Sequence, residues 1–143
     1  MQAAGLDGAA APVVYAPDTT QGGYAAARDL LKAHPDLTAL FTTNDLPALG
    51  AMQAAADLGL EVPRDLSVIG ITDIQLARES RPGLTTVAVP TVEAAELAVE
   101  LLLELVEAPE NGARGDGPGG ARVCVTSKPR LVVRGSTGEA STR

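Results

Sequence analysis

Apolar positions along this chain follow two rhythms. Short uninterrupted runs recur at residues 13–16, 39–42, 66–71, 85–89, 122–126 and 131–134, and longer segments rich in Ala and Leu lie between several of them. Runs of four to six β-branched and aliphatic residues suit strands buried on both faces. Longer segments with a 3.6-residue period suit helices that cross between parallel strands. The alternation predicts an α/β fold of three layers, α/β/α, built on a mainly parallel sheet with helices on both faces.

Local signals place the helices. Thr19 or Thr20 can accept a bond from a free backbone N–H and open a helix whose Tyr24, Ala27, Leu30 and Leu31 share one face; it ends near His34 and Pro35. A second helix starts at Asn44 or Asp45, tolerates Pro47 in its first turn, and ends where Gly59 can turn left-handed. Small residues dominate it (Ala48, Gly50, Ala51, Ala54, Ala55, Ala56), so its backbone can pack close; Leu49 and Met52 are its largest apolar groups, and one of them is expected to face outward.

The segment 91–107 is two-faced. Glu93, Glu96, Glu100, Glu104 and Glu107 recur every three or four residues, while Val92, Val99, Leu102, Leu103 and Val106 line another side. Like charges four apart repel by about 0.2–0.5 kcal/mol, whereas burying a large apolar side chain contributes about 1.5–3 kcal/mol, so the apolar side must find a partner. The acidic stripe reads as a solvated face, because no histidine or second segment is placed to complete a metal shell. Residues 111–121, NGARGDGPGGA, read as a flexible connection.

Composition narrows the function classes. A length of 143 residues suits one domain with a hydrophobic core. Eleven basic against eighteen acidic residues give a formal charge of −7, which repels phosphate backbones and anionic membranes. No apolar run is long enough to span a bilayer, and the first residues lack the order of an export signal, so a cytoplasmic location is expected. The single cysteine, Cys124, excludes an intramolecular disulfide and reads as a strand residue.

Signals for catalysis are missing. The chain has no glycine-rich dinucleotide loop after a strand, no phosphate loop with its lysine and no Cys/His cluster, and residues 135–138 have the wrong spacing for a nucleophile elbow. The only histidine, His34, falls in a helix-to-strand connection with no nucleophile beside it. No enzymatic activity, metal or cofactor is expected.

Polar residues instead gather where strands end. Asp18 and Thr19 follow the first expected strand, Thr43 and Asn44 the second, and Thr72 and Asp73 the third. In open α/β sheets, ligands sit beyond the carboxyl ends of the strands. An Asn both donates and accepts, and a carboxylate accepts from two hydroxyls, a combination suited to hydroxyl-rich ligands. The competing reading is that Asn44 and Asp73 only cap turns.

The run PDLTALFTTNDLPALGAMQAAADLGLEVPRDLSVIGITD, followed by RPGLTTVAVP, by a helix ending LLLELVE, and by RLVVRGST, resembles the C-terminal part of a LacI/GalR-family transcriptional regulator. The likeness runs in order from about Asp18 to Thr137. It implies one lobe of a type I periplasmic-binding-protein-like effector module, with residues 1–90 and about 126–137 as its core and 91–110 as a crossover helix. It also implies that a helix-turn-helix, a hinge helix and most of the lobe nearest DNA lie outside this sequence, so that DNA is met only through those parts. The apolar face of 91–107 would then fold back on this lobe or pair with another copy.

Carried over by position, Asn44 falls on the family's effector-contacting Asn, Thr72 falls where many members have an effector-binding Asp, and Asp73 matches the acid beside it. Thr72, Thr19, Val89, Thr91 and the absence of Trp depart from the pattern of sugar-binding members, leaving the effector open between a sugar and a nucleobase. The resemblance assigns effector binding to Asn44, Thr72, Asp73, Asp18 and Thr19. It assigns a homodimer contact to Leu49, Met52 and Gln53 with Leu76, Arg78 and Arg81.

Two rivals come from other classes. A phosphoacceptor receiver domain is mimicked by Asp73, Thr91 and Lys128 at successive strand ends, but it needs an acidic pair where only Asp18 stands. An exported solute-binding protein of the same fold would need a signal peptide.

Overall fold

The computed structural model describes residues 11–107 and 127–140. The connection expected at 111–121, the strand expected at 122–126 and Cys124 lie outside the described residues. Within them the elements run α1 (Thr20–Ala33), β1 (Ala39–Phe41), α2 (Asp45–Asp57), β2 (Ser67–Thr72), α3 (Gln75–Glu79), β3 (Thr85–Ala88), α4 (Thr91–Glu107) and β4 (Arg130–Val132). The strands form one sheet in the order β1-β2-β3-β4. β1, β2 and β3 are parallel, and β4 joins β3 antiparallel. The mainly parallel α/β architecture expected from the sequence is therefore present.

α2 lies between α1 and the sheet, and its composition is what permits that position. Ala48, Ala51, Ala54 and Ala55 are buried along with Met52, so the helix is apolar on nearly every side and needs cover from two directions. α1 and α2 approach closely: a Cβ on Gly50 would run into the backbone of Thr20 and Tyr24, and one on Gly23 would run into the backbone of Pro47. Leu66, Val68 and Leu84 are fully buried beneath, each contributing about 1.5–3 kcal/mol relative to exposure. The end signals hold as well. Thr19 caps α1, its side chain accepting from Gly22 N at 3.0 Å, and Gly59 after α2 has φ +75°.

The returning chain after β4 closes the lower edge of the sheet. Ser136, fully buried, donates from Oγ to Val68 O (2.6 Å) and accepts from Thr85 N (2.8 Å), so it bridges β2 and β3. Every polar atom of that hydroxyl is used, which is how a serine is accommodated in a core.

One expectation needs correction. Residues 13–16 form no strand: among the described residues the sheet is β1-β2-β3-β4 and pairs with none of them, and Val13 and Tyr15 are exposed. Among the described residues, α2 packs on the face of the sheet that bears Leu40, Val68 and Gly70, with α1 outside it, while on the other face Phe41 is 63% exposed and Leu131 is also exposed. α4 forms over the expected residues but does not fold back on the lobe. Val92 and Val106 are 70% and 81% exposed, and Val99, Leu102 and Leu103 are exposed beside them.

Candidate functional site

Parallel pairing of β1 and β2 brings their carboxyl ends to one rim. Phe41 pairs with Ile69, so Thr42 and Thr72 end the two strands on the same edge, and α2 begins there at Asn44. Asn44 occupies the N-cap position of α2, yet its side chain makes no capping bond. Its amide spans the rim instead: Nδ2 donates to Asp18 Oδ2 at 2.8 Å, and Oδ1 accepts from Thr72 Oγ1 at 3.4 Å. Thr42 Oγ1 donates to the Asn44 carbonyl at 2.6 Å and fixes the turn from which that amide projects. The turn-capping reading thus fails for Asn44, since the bond that defines a cap is absent.

Of the residues expected to bind a ligand, Asn44, Thr72 and Asp18 are brought together. Thr19 is adjacent in sequence to Asp18, with its hydroxyl oxygen engaged at the start of α1. Asp73 follows Thr72, but its carboxylate is held elsewhere: Oδ1 accepts from Arg134 Nη2 and Oδ2 from Arg78 Nη2 at 2.8 Å. The Asp73 side chain is only 8% exposed. Burial opposes its ionisation, but the hydrogen bonds and charges of Arg134 and Arg78 together outweigh this and hold the carboxyl below the usual carboxylate range. Both Thr72 (φ 120°) and Asp73 (φ 59°) have left-handed backbone, which a β-branched residue such as Thr72 rarely adopts.

Sequence reasoning missed the group that supports the rim from below. Asp45, treated only as a possible helix start, is fully buried; it accepts from Thr86 Oγ1 and, through Oδ2, from Ile74 N at 2.9 Å. It joins α2 to β3 and to the turn after β2. A signal for it was present in Gly70, in the middle of an apolar strand: a Cβ there would run into Asp45 Oδ1, and an isolated Gly in a strand marks such an approach.

The residues expected at a dimer contact also divide. Leu49, Met52, Gln53, Leu76 and Arg81 line one open groove between α2 and α3, together with Leu60, Val62 and Pro82. Met52 is buried in its floor, and Leu76 is exposed. Arg78 does not line the groove; its guanidinium binds Asp73.

Residues 1–137 match the periplasmic binding protein-like domain family. The chain is 42% identical over 122 residues to the HTH-type transcriptional regulator MalR of Streptomyces coelicolor, covering 85% of this chain and 32% of that protein. A LacI family transcriptional regulator from Arthrobacter sp. FB24, in a crystal structure with lactose, aligns with a TM-score of 0.69 at 36% identity, over 86% of this chain and 44% of that one. A LacI family regulator from Enterococcus faecium with bound ribose aligns with a TM-score of 0.65 at 27% identity, over 85% of this chain and 41% of that one. The chain thus spans about a third of the curated relative and under half of each solved structure. These likenesses favour the regulator reading over a receiver domain, as does the engagement of both Asp73 oxygens by arginines. The chain belongs to the periplasmic binding protein-like domain family, in the form carried by LacI-family transcriptional regulators.

Proposed function

We propose that this chain is the ligand-sensing and dimerisation portion of a cytoplasmic LacI-type regulator, binding a small polar effector, such as a sugar or a nucleobase, at the strand rim. The observation that carries this reading is the Asn44 side chain: at a cap position it leaves the cap unmade and reaches across the rim to Asp18 and Thr72. Its amide can exchange either partner for a ligand hydroxyl, since it donates at one end and accepts at the other. Asn44, Thr72 and Asp18 offer the polar atoms, and Thr19 and Asp73 flank them. That relatives hold lactose and ribose supports a polyol of this kind.

In this reading the effector closes a second lobe onto the rim and shifts a population of dimers between DNA-competent and DNA-incompetent forms. DNA itself would be met through a helix-turn-helix elsewhere in the regulator, because this lobe carries a net negative charge. The dimer contact would run along the groove of Leu49, Met52, Gln53, Leu76 and Arg81, with Arg78 at its margin.

The test is calorimetric titration of lactose and ribose into the two-lobed protein, with and without Asn44→Ala. Loss of a hydrogen-bonding group at the ligand should weaken binding by about tenfold or more, equivalent to about 1.4 kcal/mol. Equal affinities for the parent and the variant would remove Asn44 from the site. For the dimer, Leu49→Glu should lower the association state in light scattering, and unchanged association would exclude the groove.

A further inference from the structure

Asp73 stands beside the rim but spends its carboxylate away from it. Both oxygens are taken by arginines that come from different parts of the fold, Arg78 from α3 and Arg134 from just beyond β4. Arg134 is itself fixed. Its Nη1 donates to Leu84 O at 2.7 Å, its backbone N donates to Thr85 Oγ1 at 2.9 Å, and its side-chain carbons pass over Gly83. With a side chain only 17% exposed, Arg134 would be left as a desolvated, unmatched charge if Asp73 turned toward a ligand.

The residues that this clamp holds are the ones with unfavourable backbone. Left-handed geometry at two successive non-glycine residues, one of them β-branched, persists only where the surroundings enforce it. The corner carries a polar group on each side: Thr72 Oγ1 reaches Asn44 Oδ1, and Ile74 N is bound by Asp45. Relaxing φ at Thr72 would swing its hydroxyl away from Asn44, because the side-chain direction follows the backbone.

We propose that Asp73 is a positioning residue: gripped by Arg134 and Arg78, it holds the left-handed Thr72–Asp73 corner that aims the Thr72 hydroxyl at Asn44, and it does not touch the effector itself. The proposal rests on the rim being the effector site. It adds that the rim's geometry is set by the returning C-terminal segment, 61 residues away along the chain.

NMR of the unliganded chain tests it without any ligand, so its failure is separate from failure of the effector reading. In the parent protein, the three-bond amide–Hα couplings and Cα/Cβ shifts of Thr72 and Asp73 should report positive φ, and the Asn44 side-chain NH2 pair should be shifted by its partners. Arg134→Gln and Asp73→Ala should abolish the positive-φ signature at Thr72 and move the Asn44 NH2 resonances, while signals from α1 and β1 stay in place. Asp73→Gly, which accepts the left-handed conformation without a carboxylate, should recover part of both signals relative to Asp73→Ala.

A purely structural ion pair would lower the melting temperature in each variant and leave the Thr72 couplings and Asn44 resonances unmoved; that result overturns the proposal and leaves Asp45 as sufficient support for the corner. If Arg134→Gln does not fold, Arg78→Gln, altering an exposed side chain, carries the test: a partial loss of the Thr72 signature supports the clamp, and an unchanged signature overturns it.

Discussion

α2 and α4 make a useful pair, because both are apolar enough to demand burial and only one obtains it. α2 has small residues on every side and is enclosed by α1 and the sheet, with Asp45 in its first turn wholly desolvated. α4 carries larger apolar groups on one side and a row of glutamates on another, and Val92, Val99, Leu102, Leu103 and Val106 remain exposed. The contrast teaches that residue size, more than hydrophobicity, decided which helix could be built into this lobe. Alanine and glycine let two backbones and a sheet meet closely, whereas a face of leucines and valines needs a groove that the described residues do not supply.

The strongest way to break the enclosed side of this comparison is to remove the buried carboxyl group that ties α2 to its neighbours. Asp45→Ala leaves the buried Thr86 Oγ1 and the part-buried Ile74 N without their acceptor, and each orphaned group costs up to about 1–3 kcal/mol. A loss of about 2–5 kcal/mol in urea denaturation is expected. Gly70→Ala should act on the same contact from the strand side, costing about 1–3 kcal/mol by overpacking, and the two changes should be non-additive because they share one clash. A cost for Asp45→Ala below about 0.5 kcal/mol, the level of an ordinary surface substitution, would show that the carboxylate is not what joins α2 to the sheet.

A smaller effect is expected at Asp73, with a defined pH signature. Its folded-state value is depressed, so its contribution is fully present above the ordinary carboxylate value of about 3.9 and is lost as pH falls from there through the folded value. Near neutrality, Asp73→Asn should cost about 1–3 kcal/mol through the weakened bonds to Arg134 and Arg78, discounted on the side of the exposed Arg78. Below about pH 4 the parent should fall toward the variant, and their urea midpoints should converge. A difference that stays constant down to strong acid would show that the carboxylate's charge plays no part.

What the sequence disclosed followed from how local each signal was. Thr19 as a cap, Gly59 as a left-handed stop and the full extent of α4 depend on neighbours within a few residues, and all three are found where expected. The rim was legible for the same reason at two of its members: polar residues directly after apolar runs in parallel strands must share an edge, and Asn44 and Thr72 do, whereas Asp18 meets Asn44 from the start of α1 with no strand before it. Asp45 and Arg134 were missed because their roles are pairings across 41 and 61 residues that no local pattern encodes. Residues 13–16 misled because an apolar run signals burial only when a sheet edge is offered to it, and among the described residues no strand pairs with them.

The smallest expected effect sharpens the other side of the comparison. Leu102 and Leu103 are more than half exposed, so replacing either with Ser removes little burial in a single copy and should change stability by within about 0.5 kcal/mol. Leu84→Ala, at a fully buried position, should cost about 2–5 kcal/mol in the same assay. Protein concentration supplies the discriminating variable. If a second copy covers the apolar side of α4, the parent's unfolding midpoint will rise with concentration and the Leu102→Ser midpoint will rise less, because association stabilises only the folded form. If the midpoints coincide at every concentration, α4 stays uncovered under those conditions, and its helix is held by its own backbone bonds against the repulsion along the row of glutamates.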